Sequence, residues 1–275
     1  MTPPMPVAWS TVAREYARSI VPGLQPAARA LAEFAHIRPG SRVLDVACGP
    51  GTAAREARAL GAAEITGVDY APGMVAVARE LTADQPGFTF LEGNALALPV
   101  PDAAFDAAIS NFGVIFAPAP GQAVAELARV VRPDGWAALT AWLHDDVTAE
   151  YYELVYRHIA RQPSPHDPYE WGDPARAAGW LGAAFRSIET QPIPVPFEAE
   201  SPEAVWAILN RSTGRVAAGY AELDGEARRA FDADMLSYFA RFRRPDGSVH
   251  WPRTALLARG RRPVTRAGAP GELFI

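Results

Sequence analysis

Val43-Leu44-Asp45-Val46-Ala47-Cys48-Gly49-Pro50-Gly51-Thr52 decides how this chain is read. A short apolar run, 42–47, leads into a glycine loop. Residues 52–60 then carry Ala53, Ala54, Ala57 and Leu60 on one helical face. Strand, glycine turn and helix in that order set a helix N-terminus against the end of a strand. The glycines permit close backbone approach to a ligand. The unpaired N–H groups of the first helical turn suit an anion. Twenty residues beyond Gly49, a second apolar run, 64–69, ends in Asp69. A carboxylate there can accept both hydroxyls of a ribose in charge-assisted hydrogen bonds. On these residues alone the cofactor stays open. Gly49, Gly51 and Ala54 also match G-x-G-x-x-A, the pattern of nicotinamide dinucleotide binders.

Outward from this segment, strand and helix patterns alternate. Pro72 suits a helix start, and Met74, Val75, Ala78 and Leu81 follow as its apolar stripe. Residues 88–91 and 105–111 read as the third and fourth strands. A helix over 120–131 carries Val124, Leu127, Ala128 and Val131 at i, i+3, i+4 and i+7. Pro133-Asp134-Gly135 reads as a turn before a fifth strand, 136–142. The pattern predicts an α/β fold, a doubly wound, mostly parallel sheet with helices on both faces. Ligands on such sheets bind beyond the carboxyl ends of the strands, where the strand order switches.

The flanks are less regular. Pro-rich residues 1–8 read as frayed. Helices over 9–20 and 24–34 are separated by Pro22-Gly23. After Trp142 we expect a helix over 148–159 and a Pro- and Asp-rich loop over 163–174. A strand over 185–197 follows, which its prolines favour at an edge. Two or three helices over 202–242 and a last strand over 250–259 complete the chain. The expected domains are an N-terminal helical segment (1–38), a cofactor-binding core (39–145), a helical cap with final strands completing the sheet (146–260) and a mobile tail (261–275).

Composition removes several classes. Of 275 residues, 49% are hydrophobic, enough for a substantial core, and the net charge is -5, with no basic excess to neutralise phosphates. A nucleic-acid partner is not expected. All 26 basic residues are arginine, so a P-loop lysine, a Schiff-base lysine and a Tyr-x-x-x-Lys pair are impossible. Cys48 is the single cysteine, which excludes an internal disulfide and a cysteine-based zinc site. No run of 18 apolar residues and no secretory leader is visible, so no membrane partner is expected and the cytoplasm is the expected compartment. A monomer or homodimer fits.

Three further features settle the cofactor. Asp45 stands four residues before Gly49, where dinucleotide binders usually carry an apolar residue. Gly93-Asn94-Ala95, with Leu98-Pro99 behind it, follows the third strand. Arg132-Pro133-Asp134-Gly135 precedes the fifth. With these, the runs LDVACGPG (44–51), GVDYAPGM (67–74), GNALALP (93–99), SNFGVIF (110–116) and RVVRPDGW (129–136) resemble the class I S-adenosylmethionine-dependent methyltransferases. The likeness is to the small-molecule branch similar to the ubiquinone/menaquinone enzymes. It is strong over 42–142 and weaker over 9–35 and 143–260.

The resemblance implies S-adenosylmethionine as cofactor and a role for each matching residue. Asp45 and the backbone around Ala47, Cys48, Gly49 and Gly51 would hold the methionyl ammonium and carboxylate. Asp69 would take the ribose diol, and Tyr70 and Met74 would flank the adenine. Asn94, where the family often has Asp, and Ala95, with Leu96 beside them, would read the adenine edge. Asn111 and Phe112 would face the sulfonium and the acceptor. Tyr16 would close over the cofactor. Methyl transfer is an in-line displacement at carbon from an already cationic sulfur. The protein therefore mainly supplies alignment and water exclusion, and a base matters only if the nucleophile must lose a proton.

Competing readings stand beside these. The expected function is methyl transfer to a small-molecule acceptor, in bacterial natural-product biosynthesis. The alternatives are an S-adenosylmethionine-binding cyclase or regulator, or a nicotinamide-dependent oxidoreductase, which Asp45 and the lack of lysine disfavour. His144 is the candidate general base, oriented by Asp145 or Asp146. The same two aspartates could hold Mg²⁺ as in catechol-type relatives, but those also need an acid where this chain has Asn111. The segment could equally be a solvated loop, and no metal is expected. Cys48 is either a nucleophile or a small packed residue. Trp142, Trp171 and Trp206 either line an aromatic acceptor pocket or belong to the core. His36, His158, His166 and His250 read as surface residues, Arg241, Arg243 and Arg244 as a solvated helix end. The arginines between 259 and 266 could recognise an anionic substrate group.

Overall fold

The computed structural model describes residues 4–160 and 166–264. Continuous apolar runs, each closed by a turn residue, become the strands of the sheet: β1 (Arg42–Val46), β2 (Glu64–Asp69), β3 (Phe88–Glu92), β4 (Phe105–Asn111) and β5 (Val131–Trp142). β1 and β4, inside the sheet, are buried along almost their whole length and lack polar alternation, whereas the edge strand β3 leaves Thr89 and Glu92 exposed. The helices between them, α3 (Thr52–Ala59), α4 (Pro72–Leu81) and α5 (Pro120–Val130), each bury an alanine- or valine-rich stripe. Before β1 lie α1 (Met5–Ser19) and α2 (Val21–Phe34). After β5 come α6 (Asp146–His158), α7 (Pro174–Gly182), β6 (Arg186–Pro194), β7 (Phe197–Ala199), α8 (Pro202–Ser212), α9 (Gly214–Glu222), α10 (Gly225–Ala240), β8 (Val249–Trp251) and β9 (Thr254–Arg261).

The seven-stranded sheet has the order β3-β2-β1-β4-β5-β9-β6. Neighbours among the first five strands run parallel, and β9 runs antiparallel to both β5 and β6. The chain turns from one half to the other between β1 and β4, so the crevice for a ligand opens at their carboxyl ends. α1 packs against α4, α8 and α9. N-terminal helix and cap therefore meet over that crevice. Among the described residues no helix is long and apolar enough to cross a membrane.

The doubly wound sheet, the proline-bearing edge strand β6 and the three helices of 202–242 follow the sequence pattern. Elsewhere the structure corrects it. α1 begins at Met5, so residues 5–8 are helical: the proline in the first turn loses an N–H that would be unbonded anyway. Pro22 for the same reason starts α2 rather than separating two helices. Pro133-Asp134-Gly135 is absorbed into β5 as an irregularity. The register slips between Phe105↔Val131 and Ala107↔Trp136, with Asp134 at φ 72. The described part of the expected loop 163–174 holds a 3-10 turn, Pro168–Gly172, capped by Asp167, and Asp173 then caps α7. Its aspartates are caps rather than loop formers. The expected last strand is two, because Pro252-Arg253 interrupts it. His166 is buried beside Glu170 rather than on the surface. Of the expected mobile tail, 261–275, residues from 265 on lie outside the described residues, and its first residue, Arg261, instead closes β9.

Gly172 joins the 3-10 turn to the end of β5: its carbonyl accepts from the His144 N–H, and a Cβ there would fall onto the Trp142 carbonyl. Gly172→Ala is expected to destabilise the fold by about 2 kcal/mol through this overpacking, read as a lower midpoint in urea. An unchanged midpoint contradicts the packing described.

Candidate active site

A cavity of about 450 Å³ sits at the carboxyl ends of β1, β2 and β4. Ala47, Cys48 and Gly49 form one wall, Asp69, Tyr70 and Met74 the next, and Asn94, Ala95 and Leu96 close that end. Asn111, Phe112 and Trp142 form the opposite wall, and Tyr16 reaches in from α1. The cap then contributes Tyr151 and Tyr152 from α6, Leu209 from α8, Val216 from α9, and Trp251 and Arg253. One hollow thus joins the region expected to hold a cofactor to the region under the cap.

Backbone strain gathers at this rim. Ala47 (φ 52), Gly49 (φ 53), Gly51 (φ 76) and Phe112 (φ 56) are all left-handed, two of them without the freedom of glycine. The strand ends are tied together by Ser110, whose Oγ donates to the Val46 carbonyl at 2.7 Å and accepts from Val114 N–H at 2.8 Å. Gly49 and Gly51 differ in purpose. A Cβ on Gly49 would meet nothing within 4 Å and project into open space, whereas one on Gly51 would press on the Phe90 ring at 3.1 Å. Gly51 does not line the cavity. It is glycine for packing and turn geometry, a correction to its expected ligand contact.

Asp69 is 5% exposed and lines the cavity. Its Oδ2 accepts from Gly49 N–H at 2.8 Å and its Oδ1 from Ala71 N–H at 2.9 Å, which clamps the glycine loop to the start of α4. Each oxygen keeps a second lone pair. Burial raises its pKa, against the pull of the Ala71, Gly49 and Tyr70 amides.

Asp45 does not line the cavity and is 1% exposed. Its carboxyl turns under the loop, where Oδ2 accepts from Ala54 N–H at 2.9 Å and caps α3 from the neighbouring strand. Oδ1 is buried with no hydrogen-bond partner. The expected direct grip on the methionyl ammonium is therefore corrected: the side chain lies under the loop, off the cavity, with one oxygen on the helix terminus. Burial pushes its pKa up to about 8, opposed by the Ala54 amide and reinforced by the Asp69 charge. A folded-state pKa above the unfolded value means that ionisation opposes folding. The penalty is absent below about pH 4, grows as pH rises and is complete above about pH 8. Asp45→Asn, which keeps an acceptor for Ala54, is expected to raise stability at pH 8 by at least about 1 kcal/mol and to leave it little changed at pH 4. Thermal melts of both proteins across that range check this, and a variant less stable at pH 8 contradicts it.

At the adenine end expected from the sequence, Met74 is buried and Tyr70 half-exposed, both on the wall. Asn94 Oδ1 accepts from Leu96 N–H at 2.9 Å, so the oxygen expected to meet an exocyclic amine already closes a turn. Across the cavity, Asn111 Oδ1 accepts from Thr140 Oγ1–H, and Thr140 Oγ1 accepts from Phe112 N–H. The Phe112 ring stacks on Trp142 at 4.2 Å. Burial raises the Tyr16 hydroxyl well above its ordinary range and keeps it protonated.

The cap corrects more expectations. Trp142 lines the cavity, but Trp171 and Trp206 do not. Trp171 is fully buried against Trp180, and Trp206 donates its indole N–H to Asp232. Both are large apolar residues on the core side of their helices. The aromatic wall is made instead by Tyr151, Tyr152, Tyr169 and Trp251, with Trp9 from α1. The adjacent Tyr151-Tyr152 pair on a helix was the available sequence signal. His144 is exposed and does not line the cavity, so it is not positioned as a base. Asp145 caps α6, accepting from Thr148 N–H at 2.8 Å. Cys48 is buried, and burial raises its thiol, which suits the packed reading. Arg241 pairs with Glu150, Arg244 with Glu198, Arg259 with Glu189 and Arg261 with Asp134, so none of these four lacks a partner.

Known proteins agree with this architecture. The family model described as a methyltransferase domain matches residues 44–139. An uncharacterized protein of Mycobacterium tuberculosis is 30% identical over 253 residues, 90% of this chain and 91% of that one. The demethylmenaquinone methyltransferase of Renibacterium salmoninarum is 37% identical over 127 residues, covering 46% of this chain and 51% of that one. Among solved structures, phosphoethanolamine N-methyltransferase 2 of Haemonchus contortus in complex with S-adenosyl-L-methionine matches 87% of this chain and 53% of that one. The TM-score is 0.56 and the identity 16%. Residues 44–139 thus carry a methyltransferase domain, and the chain shares the fold of class I S-adenosylmethionine-dependent methyltransferases.

Proposed function

We propose that this enzyme methylates a small molecule held under the cap. The observation that carries the reading is the continuous cavity, open on one side, that runs from Gly49 and Asp69 to the aromatic residues of α6 and Trp251. Burial of this kind fits a ligand of small-molecule size rather than a polymer. The residues fit the cofactor on three counts: the open cradle over Gly49, the lone pairs of Asp69 facing the cavity, and the apolar flank of Met74 beside Tyr70.

Bound there, S-adenosylmethionine supplies a methyl group on a cationic sulfur, an activated electrophile. Asp69 would accept hydrogen bonds from the ribose hydroxyls. The backbone of Ala47, Cys48 and Gly49 would hold the amino-acid end, with Asp45 acting only through α3. Tyr70 and Met74 would flank the adenine, and Ala95 and Leu96 would border its edge. Asn111 and Phe112 would face the reacting centre, and Tyr16 would close over it. The cap excludes water and aligns the acceptor, which is the main catalytic requirement of this displacement. Among the described residues lining the cavity there is no histidine or glutamate. Burial raises the pKa of the Tyr16, Tyr151 and Tyr152 hydroxyls, so they stay protonated at neutral pH and are not bases.

Transfer of tritium from labelled cofactor into candidate acceptors tests the reading. Label appearing in a small molecule is the expected result. Tight binding of S-adenosylhomocysteine with no transfer to any acceptor favours a cyclase or regulator instead.

A further inference from the structure

Arg253 is the anomaly of this cavity. It lines the wall, yet it is only 8% exposed, and its Nε and Nη2 are buried without a hydrogen-bond partner. Its guanidinium lies over three ring faces: Trp142 at 4.4 Å, Trp251 at 4.8 Å and Phe197 at 5.2 Å. Rings attract a cation but do not accept its N–H groups as a carboxylate does. Among the described residues no carboxylate pairs with it, and the groups that act on its charge are tyrosine hydroxyls, which are neutral. Burial pulls its pKa down to about 10, so it is still a cation at neutral pH.

The charge balance of the cavity wall points the same way. Two guanidinium groups, Arg253 and Arg215, face one carboxylate, Asp69, whose two oxygens already accept backbone amides. A buried unpaired cation is costly unless a ligand brings the opposite charge. The side chain is also held ready. Pro252-Arg253 breaks the strand between β8 and β9, the Arg253 N–H donates to the Trp251 carbonyl, and the Arg253 carbonyl accepts from Val195 N–H.

We propose that Arg253 is the specificity residue for the acceptor, and that the acceptor is a flat, apolar molecule carrying a carboxylate that pairs with this guanidinium. The flat frame follows from the aromatic wall of Tyr151, Tyr152, Trp142 and Trp251. Position separates this carboxylate from the one on the cofactor. The glycine loop follows β1, whereas Arg253 precedes β9, three strands along the order β1-β4-β5-β9. At sheet spacing that is about 14 Å, more than one arginine side chain spans. The proposal rests on the methyltransferase reading of the cavity and specifies its substrate class.

The test titrates naphthoate and its neutral isostere naphthamide into the full chain, with and without saturating S-adenosylhomocysteine, by calorimetry. The acid is expected to bind at least about tenfold tighter than the amide. Arg253→Gln should abolish that preference while shifting the dissociation constant of S-adenosylhomocysteine by less than about threefold, and Arg253→Lys should restore part of the preference. Equal binding of acid and amide, binding of neither, or a preference that survives in Arg253→Gln overturns the proposal. So does a tenfold loss of S-adenosylhomocysteine affinity in that variant, which would assign Arg253 to the cofactor's own carboxylate. Should Arg253→Gln not fold, Arg253→Lys carries the test, because a preference undiminished by loss of the planar fork also overturns it. Failure of S-adenosylhomocysteine to bind the unaltered protein is a distinct result. It removes the methyltransferase reading of the cavity, and the titrations without cofactor still decide the role of Arg253.

Discussion

Asp69→Asn weakens S-adenosylhomocysteine binding by about ten- to a hundredfold, the loss of roughly 1.5–3 kcal/mol expected when hydrogen bonds to a charged group are removed. The asparagine oxygen can still accept one of the two amides that Asp69 holds, from Gly49 or Ala71. The other amide then faces an NH₂ group, so the glycine loop loosens by one bond as well. Two measurements separate these effects. A thermal melt of the unliganded variant reads the loop, and calorimetry with S-adenosylhomocysteine reads the ribose contact. Asp69→Ala orphans both amides and is expected to lose more in each. An Asp69→Asn protein with unchanged ligand affinity removes Asp69 from the ribose site.

Gly49→Leu is expected to lower cofactor affinity by more than about a hundredfold while leaving the protein folded. A non-glycine residue at φ 53 costs about 1–2 kcal/mol, and the fold already carries such residues nearby at Ala47 and Phe112. The Cβ itself meets no atom within 4 Å, so the substitution does not disrupt packing. The isobutyl group instead occupies the space that the methionyl end of the cofactor needs. Gly51→Leu behaves differently, since its Cβ would press on Phe90 and the damage appears as lost stability. A Gly49→Leu protein that binds S-adenosylhomocysteine as tightly as the unaltered chain would place the cofactor elsewhere.

The binding core was legible because its inner strands are covered on both faces. Runs such as 64–69 and 105–111 are continuous and apolar, and each ends in a polar residue that meets the crevice, Asp69 or Asn111. Strand-to-helix punctuation by Pro72 and Pro120 sharpened the boundaries. The cap was harder to read. Trp171 and Trp206 look alike in a sequence whether they face a ligand or the core, and only the packing of α7 and α8 decides between the two. Asp145, Asp167 and Asp173 looked like chemistry or loop, yet each caps a helical turn, because an aspartate before a helix satisfies local amides first.

Asp45 shows the limit for charged residues. A motif places it near the ligand, but it lies off the cavity, with one oxygen accepting from Ala54 across the strand–helix turn, nine residues away. Arg253 escaped notice for the opposite reason. One arginine among 26 carries no pattern, and its isolation from the carboxylates of the described residues emerges only when β7, β8 and β5 bring Phe197, Trp251 and Trp142 around it.

A crystal structure of the protein soaked with S-adenosylhomocysteine tests the cofactor site most directly. Difference density is expected at the ends of β1, β2 and β4, with the ribose hydroxyls on Asp69, the amino-acid end over Gly49 and the sulfur turned towards Asn111 and Phe112. Density for the nucleoside outside this hollow, or lying in it with the adenine over Gly49 and the amino-acid end at Met74, contradicts it.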